Sequence, residues 1–351
     1  MLCRRSKEYE EMCTAGAERM SRRQSRYREG YGMSKCRTSS IVNWKGGVGK
    51  TTIAYHLGTG LEMLEPEHRE EHLGSEEVPR VLLVDNDAQC NLTIACVGSD
   101  QFEKMLGKGV KTMKDLYKEF LENDTPVVKV EEYILEGVVR RNGSQTFERI
   151  DLLPAHPDLV YTDMSFAIYS RADFKESMSG PPMYKFRVLD RILEQVRDRY
   201  DFIFIDCPPS MHYLTQNAIY ASDYYIIPTL PDWFSAYGLH SIVAKVQEFN
   251  RWWDLAGNGR YRATELVGII PNNVKEYNQE PIQSQAAIIN GLRERYGDLV
   301  FYNYLTNGDG IPRALHEAQP VYTLAGSGGS AAKQTKLLRR ILVEFLDRIA
   351  E

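Results

Sequence analysis

The chain has 351 residues, of which 43% are hydrophobic and 26% charged, with a net charge of −5. It is long enough to bury a substantial core as one large domain or two, and no run approaches the roughly 18 apolar residues that a membrane-spanning helix needs, so a cytoplasmic protein is expected. The six cysteines (Cys3, Cys13, Cys36, Cys90, Cys96, Cys207) contain no C-x-x-C pair, which predicts reduced thiols and removes most support for zinc or iron–sulfur roles.

Charge is unevenly spread. Residues 1–37 carry ten Lys/Arg against five Glu, leaving −10 for the remainder. Low hydrophobicity with high charge predicts a flexible, solvated extension, with basic groups able to touch nucleic acid or acidic lipid. The segment lacks the apolar stretch of a signal peptide, and Met33 offers an alternative start.

From Ser39 onward short apolar or β-branched runs alternate with longer helical patterns, the sign of a parallel sheet wrapped by helices. The predicted strands are 39–43, 80–85, 149–154, 201–206, 223–229, 265–271 and 298–303. The expected fold is therefore α/β: a single doubly wound domain over 38–351, with a mostly parallel seven- or eight-stranded sheet flanked by helices. Helices are predicted over 51–64, 187–198, 214–221, 239–250, 281–296 and 331–349. The last has Leu337, Leu338, Ile341, Leu342, Phe345, Leu346 and Ile349 at helical spacing and reads as a helix docked on the core. Two stretches look inserted: an acidic segment 65–79, expected to be a surface loop, and a charged, partly helical excursion 99–148.

The chemistry starts at NWKGGVGKTT (43–52). A strand, then Gly46, Gly47, Val48, Gly49, Lys50, Thr51 and Thr52, then a helix, is an arrangement that holds phosphates. Glycines let the backbone approach the oxygens, and N–H groups at the helix start point at the anion. Lys50 is expected on the β- and γ-phosphates and the Thr51 hydroxyl on Mg²⁺. Counting back from Gly49-Lys50-Thr51, however, Trp44 stands where the phosphate-loop pattern has its first glycine, and a second lysine, Lys45, follows it.

A nucleotide site with Mg²⁺ also needs carboxylates at the ends of neighbouring strands. Asp206 in FIFIDCPPS (202–210) fits a residue contacting the metal or its water. Asp85 and Asp87 in VLLVDNDAQCNLT (81–93) occupy alternate positions after a buried strand, which puts both carboxylates on one side for Mg²⁺ and an attacking water.

KGGVGKTT, VLLVDNDAQCNLT, DLLPAHPDL, DFIFIDCPPS, PTLPDWFSAYGL, LVGIIPNN and IPRALHEAQPVY follow one another here in the order seen in the ParA/MinD family of deviant-Walker ATPases. The chain resembles that family from about Thr38 onward, most of all its ParA branch. The resemblance implies ATP and Mg²⁺ as cofactors, catalytic roles for Lys45, Lys50 and Asp87, and metal contacts from Thr51, Asp85 and Asp206. Lys45 matches the signature lysine that crosses an ATP-sandwich homodimer to the partner's phosphates. Asn272 or Asn273, with Asn273 favoured, is implied near the adenine, and the segment around Pro312 over the base. Trp44 and Ala88 depart from the glutamine and proline usual at their positions; neither change removes a catalytic group.

The resemblance further implies a partition or positioning ATPase. Its ATP dimer binds DNA without sequence preference, and a ParB-like or other adaptor stimulates hydrolysis. Arg313, Lys333, Lys336, Arg339 and Arg340 are the candidate DNA contacts. The alternatives are a MinD-like membrane oscillator, for which no separate basic amphipathic tail follows the final helix pattern, and a relative positioning a non-DNA cargo. Metallocluster work would need paired cysteines, and a tyrosine-kinase relative would need tyrosines after Tyr322, of which there are none. The stretch before the first strand is shorter than the roughly 50 residues of an independent folding unit, so no operator-binding domain is expected.

Overall fold

The computed structural model describes residues 36–123, 125–169, 183–257 and 261–350. The basic extension expected over 1–37 lies almost wholly outside the described residues, as do Cys3 and Cys13. Six strands form one parallel sheet: β1 (Arg37–Ile41), β2 (Val81–Asp85), β3 (Ile150–Leu153), β4 (Phe202–Asp206), β5 (Tyr224–Thr229) and β6 (Glu265–Pro271). Their spatial order is β3-β2-β4-β1-β5-β6, every pairing parallel. β2 and β4 are buried along their whole length, which is why they read as unbroken apolar runs rather than alternating ones.

The chain steps from β1 outward to β2 and β3, returns to β4, then crosses to β5 and β6 on the other side. β1 therefore stands at the switch point of the sheet, and ligands of such sheets bind outside the carboxyl ends of the strands there.

Helix α1 (Lys50–Glu62) leaves β1 through the glycine loop. The acidic segment expected as a loop instead forms α2 (Pro66–Leu73), with Pro66 in its first turn and Gly74 closing it in the left-handed conformation. Those two residues are the ordinary start and stop signals of a short helix, and the acidic composition hid them. The excursion 99–148 holds α4 (Ser99–Gly107), following α3 (Asn91–Val97), then α5 (Met113–Glu122) and a small hairpin closed at Gly143-Ser144. The next helices are α6 (Thr162–Ile168), α7 (Val188–Glu194), α8 (Tyr213–Tyr220), α9 (Trp233–Ala256), α10 (Gln283–Tyr296), α11 (Gly310–His316) and α12 (Gly329–Ala350). The α12 stripe of Leu338, Ile341, Leu342, Phe345, Leu346 and Ile349 is buried, and the Phe345 ring centroid lies 5.7 Å from that of Phe204 on β4.

The expected strand at 298–303 is a correction. The chain there makes a single parallel bridge, Val300 to Ile269, while the N–H groups of Tyr302 and Asn303 donate to the Glu344 carboxylate on α12. Its close pass over β6 is possible because residue 268 is glycine: a Cβ there would lie 2.6 Å from the Leu299 carbonyl. The sheet among the described residues thus has six strands rather than seven or eight.

Candidate functional site

The loop between β1 and α1 is held from below. Asn43 donates its side-chain N–H to the Pro228 carbonyl at 2.9 Å and accepts the Lys45 N–H at 2.9 Å. Gly47 and Gly49 have φ of 73° and 93°, and a Cβ built on Gly46 or Gly47 would meet nothing within 4 Å, so the loop presents an open backbone cradle. At Gly49 the opposite holds: a Cβ would lie 2.0 Å from Nδ2 of Asn272. That amide donates to the Val48 carbonyl at 2.7 Å and pins the loop to the end of β6.

Lys50 opens α1, is buried, and donates to the Lys45 carbonyl at 3.3 Å. Burial lowers its pKa, and the carboxylates of Asp206 and Asp87 oppose that shift. Thr51 donates its hydroxyl to Oδ2 of Asp206 at 2.6 Å, while Oδ1 of Asp206 is buried with no hydrogen-bond partner. Burial, with Asp85 and Asp87 adding to it, pushes the Asp206 carboxyl well above the ordinary range. An orphaned carboxylate oxygen beside a threonine hydroxyl at the lip of a glycine cradle fits a divalent cation carried in with phosphates.

Asp85 faces Asp206 in register across β2 and β4, yet both of its oxygens are engaged by the protein. Oδ2 accepts the Thr93 N–H and the Thr93 hydroxyl, each at 2.7 Å, and Oδ1 accepts the Asp87 N–H at 3.2 Å. Burial raises its pKa to about 7. Its bonds go to the turn after β2 and to α3, so that it braces the site from behind. Asp87 accepts the Gln89 N–H at 3.0 Å, which orients its carboxylate on the side where Lys50 acts on it electrostatically. Between them, Asn86 is buried, donating to the Leu214 carbonyl at 3.0 Å and accepting the Tyr117 hydroxyl at 2.8 Å. Helix α5 of the excursion thereby buttresses this turn.

Lys45 is half-exposed on the outer side of the loop. Its Nζ donates to Oδ2 of Asp232 at 2.9 Å and to Oγ of Ser235 at 2.8 Å. Asp232 is also the N-cap of α9, accepting the Ser235 N–H at 2.9 Å. Sequence reading missed Asp232 and Ser235, and offered Asn272 only for the adenine, not for the Val48 carbonyl that it holds. The Asp-x-x-Ser start of a long helix was a readable capping signal for the first two.

The remaining candidates are dispersed. Asn273, in the left-handed region, accepts from Asn307 at 2.5 Å, and Pro312 is exposed early in α11. Among the proposed DNA contacts, Lys333 pairs with Glu276 and Arg313 donates to Ser327. Lys336, Arg339 and Arg340 are exposed on one face of α12. Cys90, Cys96 and Cys207 are buried near the site, where burial raises each thiol's pKa. Among the described residues no group of three metal-ligating side chains is assembled and no helix is long and apolar enough to cross a membrane.

A glycine cradle at the switch point of a parallel sheet, with a buried lysine and threonine at the following helix start and an aspartate at the end of the adjacent strand, defines a P-loop nucleotide-binding protein. A family model described as an AAA domain (AAA_31) matches residues 36–254, and the chain belongs to that family, within the ParA/MinD group of P-loop ATPases. It is 26% identical over 319 residues to the chromosome partitioning protein ParA of Caulobacter vibrioides, covering 90% of this chain and 97% of that one. An uncharacterized protein of Mycobacterium tuberculosis is 27% identical over 306 residues, 87% of this chain and 78% of that one. Among solved structures, an ATP complex of McdA from Cyanothece is similar with a TM-score of 0.65 at 20% identity, covering 90% of this chain and 98% of that chain.

Proposed function

We propose that the chain is a Mg²⁺-dependent ATPase of the partition or positioning type, working as an ATP-driven homodimer that binds duplex DNA without sequence preference and is released when an adaptor stimulates hydrolysis. The observation that carries this reading is the pair of lysines on one loop. Lys50 is buried among carboxylates at the start of α1, while Lys45 is half-exposed and held only by Asp232 and Ser235. One lysine faces its own cradle and the other is free to serve a neighbour's.

In this mechanism the loop N–H groups and Lys50 bind and orient the phosphates. The Thr51 hydroxyl and Asp206 would hold Mg²⁺, which when bound neutralises charge on the phosphates. Asp87 accepts a proton of the attacking water at its carboxylate, positioned by the Gln89 N–H. Lys45, released from Asp232, offsets negative charge on the partner's transferring phosphoryl group, as an arginine finger does.

Similarity over 90% of the chain to a chromosome partitioning protein supports DNA as the surface that is bound. Because Lys333 is paired with Glu276, Lys336, Arg339 and Arg340 are the candidate cations left on α12 for DNA phosphates, with Arg313, whose bond to the neutral Ser327 leaves its charge in place. The membrane alternative loses its main support, since the apolar stripe of α12 is spent on the core. The test is binding to non-specific duplex DNA with and without ATP across a salt series. Binding only with ATP, steeply weakened by salt, is expected; absence of binding would assign a non-DNA cargo.

A further inference from the structure

Helix α12 turns a second face away from its buried stripe. Ala332, Lys336, Arg339, Arg340 and Val343 recur along it at intervals of three and four, so they stand together. Across from them are the end of α1 and the start of α2. Between the two sides lies a cavity of about 770 Å³, lined also by Met63, Leu64, Glu65, His68 and Tyr302. That volume falls within the range of small-ligand pockets, about 300–1,000 Å³.

The walls of this groove are fixed by the chain. Helix α2, from the segment that reads as an insertion, is held by Arg69, which is buried and donates to the Leu64 and Glu76 carbonyls. It is held again by His72, whose Nδ1 lies 2.8 Å from Oδ1 of Asp347 on α12. The charges inside are left unbalanced. Of the carboxylates lining the groove, Glu344 is taken by Arg348 at 2.8 Å and by the Tyr302 and Asn303 N–H groups, and Asp347 by His72. Lys336, Arg339 and Arg340 are exposed and make no hydrogen bond or ion pair among the described residues, which leaves Glu65 as the lining acid that opposes them.

Two guanidinium forks and an ammonium on adjacent turns match phosphate oxygens. Beside them Met63, Leu64, Ala332 and Val343 form an apolar wall, and Tyr302, 67% exposed, offers a ring on which a base can stack. We propose that the groove between α2 and α12 is a second nucleotide site, taking a free mononucleotide with its phosphates on Lys336, Arg339 and Arg340 and its base against Tyr302 and the apolar wall. It is separate from the phosphate loop. Lys50 opens α1 and the groove lies beyond the other end of that helix, whose 13 residues span about 20 Å.

A free nucleotide fits better than duplex DNA because the bases of a duplex are stacked inside it. A duplex can use the three cations but neither the apolar wall nor the ring. The groove carries this inference whether or not the same cations also meet DNA. A nucleotide held there occupies them, so it and DNA would exclude one another, and that consequence alone rests on the DNA reading above.

Equilibrium dialysis of the full chain against labelled ADP, with Mg²⁺ and then with EDTA, tests this. Two classes of site are expected, one weakened by EDTA and one indifferent to it. Arg340→Glu and Tyr302→Ala should each weaken the EDTA-indifferent site about tenfold or more, the scale of one charge-assisted hydrogen bond or one stacked base. Both side chains are exposed, and an unchanged thermal unfolding midpoint verifies the fold of each variant. Adenosine, which has no phosphate, should not displace ADP from this site. Absence of the EDTA-indifferent site, its retention at wild-type affinity in either variant, or its release by adenosine would overturn the proposal. Absence of the EDTA-sensitive site would instead overturn the reading of the phosphate loop.

Discussion

The Nζ of Lys45 lies 2.9 Å from Oδ2 of Asp232, so the outward lysine of the phosphate loop is held by the residue that caps α9. Asp232 therefore has two separable tasks. It accepts the Ser235 N–H as a helix cap, and it anchors a cation. Its pKa is lowered, by the Ser235 N–H and then by Lys45 and the Ser235 hydroxyl, against the opposing effect of partial burial.

Asp232→Asn separates the tasks, because asparagine caps helices about as well as aspartate. The variant should unfold at close to wild-type stability, whereas Asp232→Ala should lose about 1 kcal/mol with the cap. If Lys45 acts on a partner's phosphates, Asp232→Asn should strengthen ATP-dependent self-association several-fold, since the competing anion in cis is gone. Unchanged or weakened association, measured by sedimentation, would assign the cis pair itself to the active arrangement.

Asp206→Asn should divide stability from activity. The Asp206 carboxylate is buried, near Asp85 and Asp87, and one of its oxygens has no hydrogen-bond partner, so the folded chain bears a cost for that charge. An amide keeps an acceptor for the Thr51 hydroxyl and removes the charge. The variant should unfold at an equal or higher temperature without nucleotide, yet lose on the order of 10²-fold or more in Mg²⁺-dependent turnover. Turnover close to wild type would remove Asp206 from the metal site.

Most of the sheet and the loop were legible in the sequence because strands such as β2 and β4 are apolar runs closed by a chemically distinctive end. Asp85, Asp206 and the glycines of the loop all stand where such runs stop. What escaped was set by contacts distant in sequence. Val300 and Phe301 look like a strand, but Glu344 on α12 takes the N–H groups of the next two residues. Asp85 and Asp87 look equivalent, yet Thr93 claims one and not the other. Asn272 and Asn273 are adjacent amides that only the fold separates, one pinning Val48 and the other bonded to Asn307.

That separation predicts a coupling between Gly49 and Asn272. Gly49→Ala would place a methyl 2.0 Å from the Asn272 amide at a φ of +93°, adding about 1–3 kcal/mol of backbone strain to the clash. Asn272→Ala would leave the Val48 carbonyl without its donor, a loss of about 1–3 kcal/mol. In the double variant the clash has no partner, so its destabilisation in urea unfolding should fall short of the sum by 0.5 kcal/mol or more, the size expected of contacting residues, about 0.5–3 kcal/mol. Strict additivity would show that the two residues do not meet.

His56 sets a pH dependence for the fold. The ring is fully buried in α1, and its Nε2 accepts the Val321 N–H at 3.1 Å, so Nδ1 carries the proton and donates to the Thr52 carbonyl at 2.8 Å. Burial lowers its pKa from 6.5 to about 4, because the charged ring would have no water and Nε2 would confront a donor. The folded state thus resists a proton that the unfolded chain accepts. Above pH 6.5 both forms are neutral and the contribution is complete; between pH 6.5 and about 4 stability falls as pH falls, by a total of about 3 kcal/mol for this residue. Asp85, with its pKa raised to about 7, acts in the opposite sense over the same window, so wild-type stability alone does not isolate the histidine. The difference between wild type and His56→Gln does: glutamine can donate to Thr52 or accept from Val321 but has no proton to gain. The gap in unfolding free energy between the two proteins should narrow steadily from pH 7 toward pH 4.5, and a gap independent of pH would mean that His56 takes up its proton alike in the folded and unfolded chains.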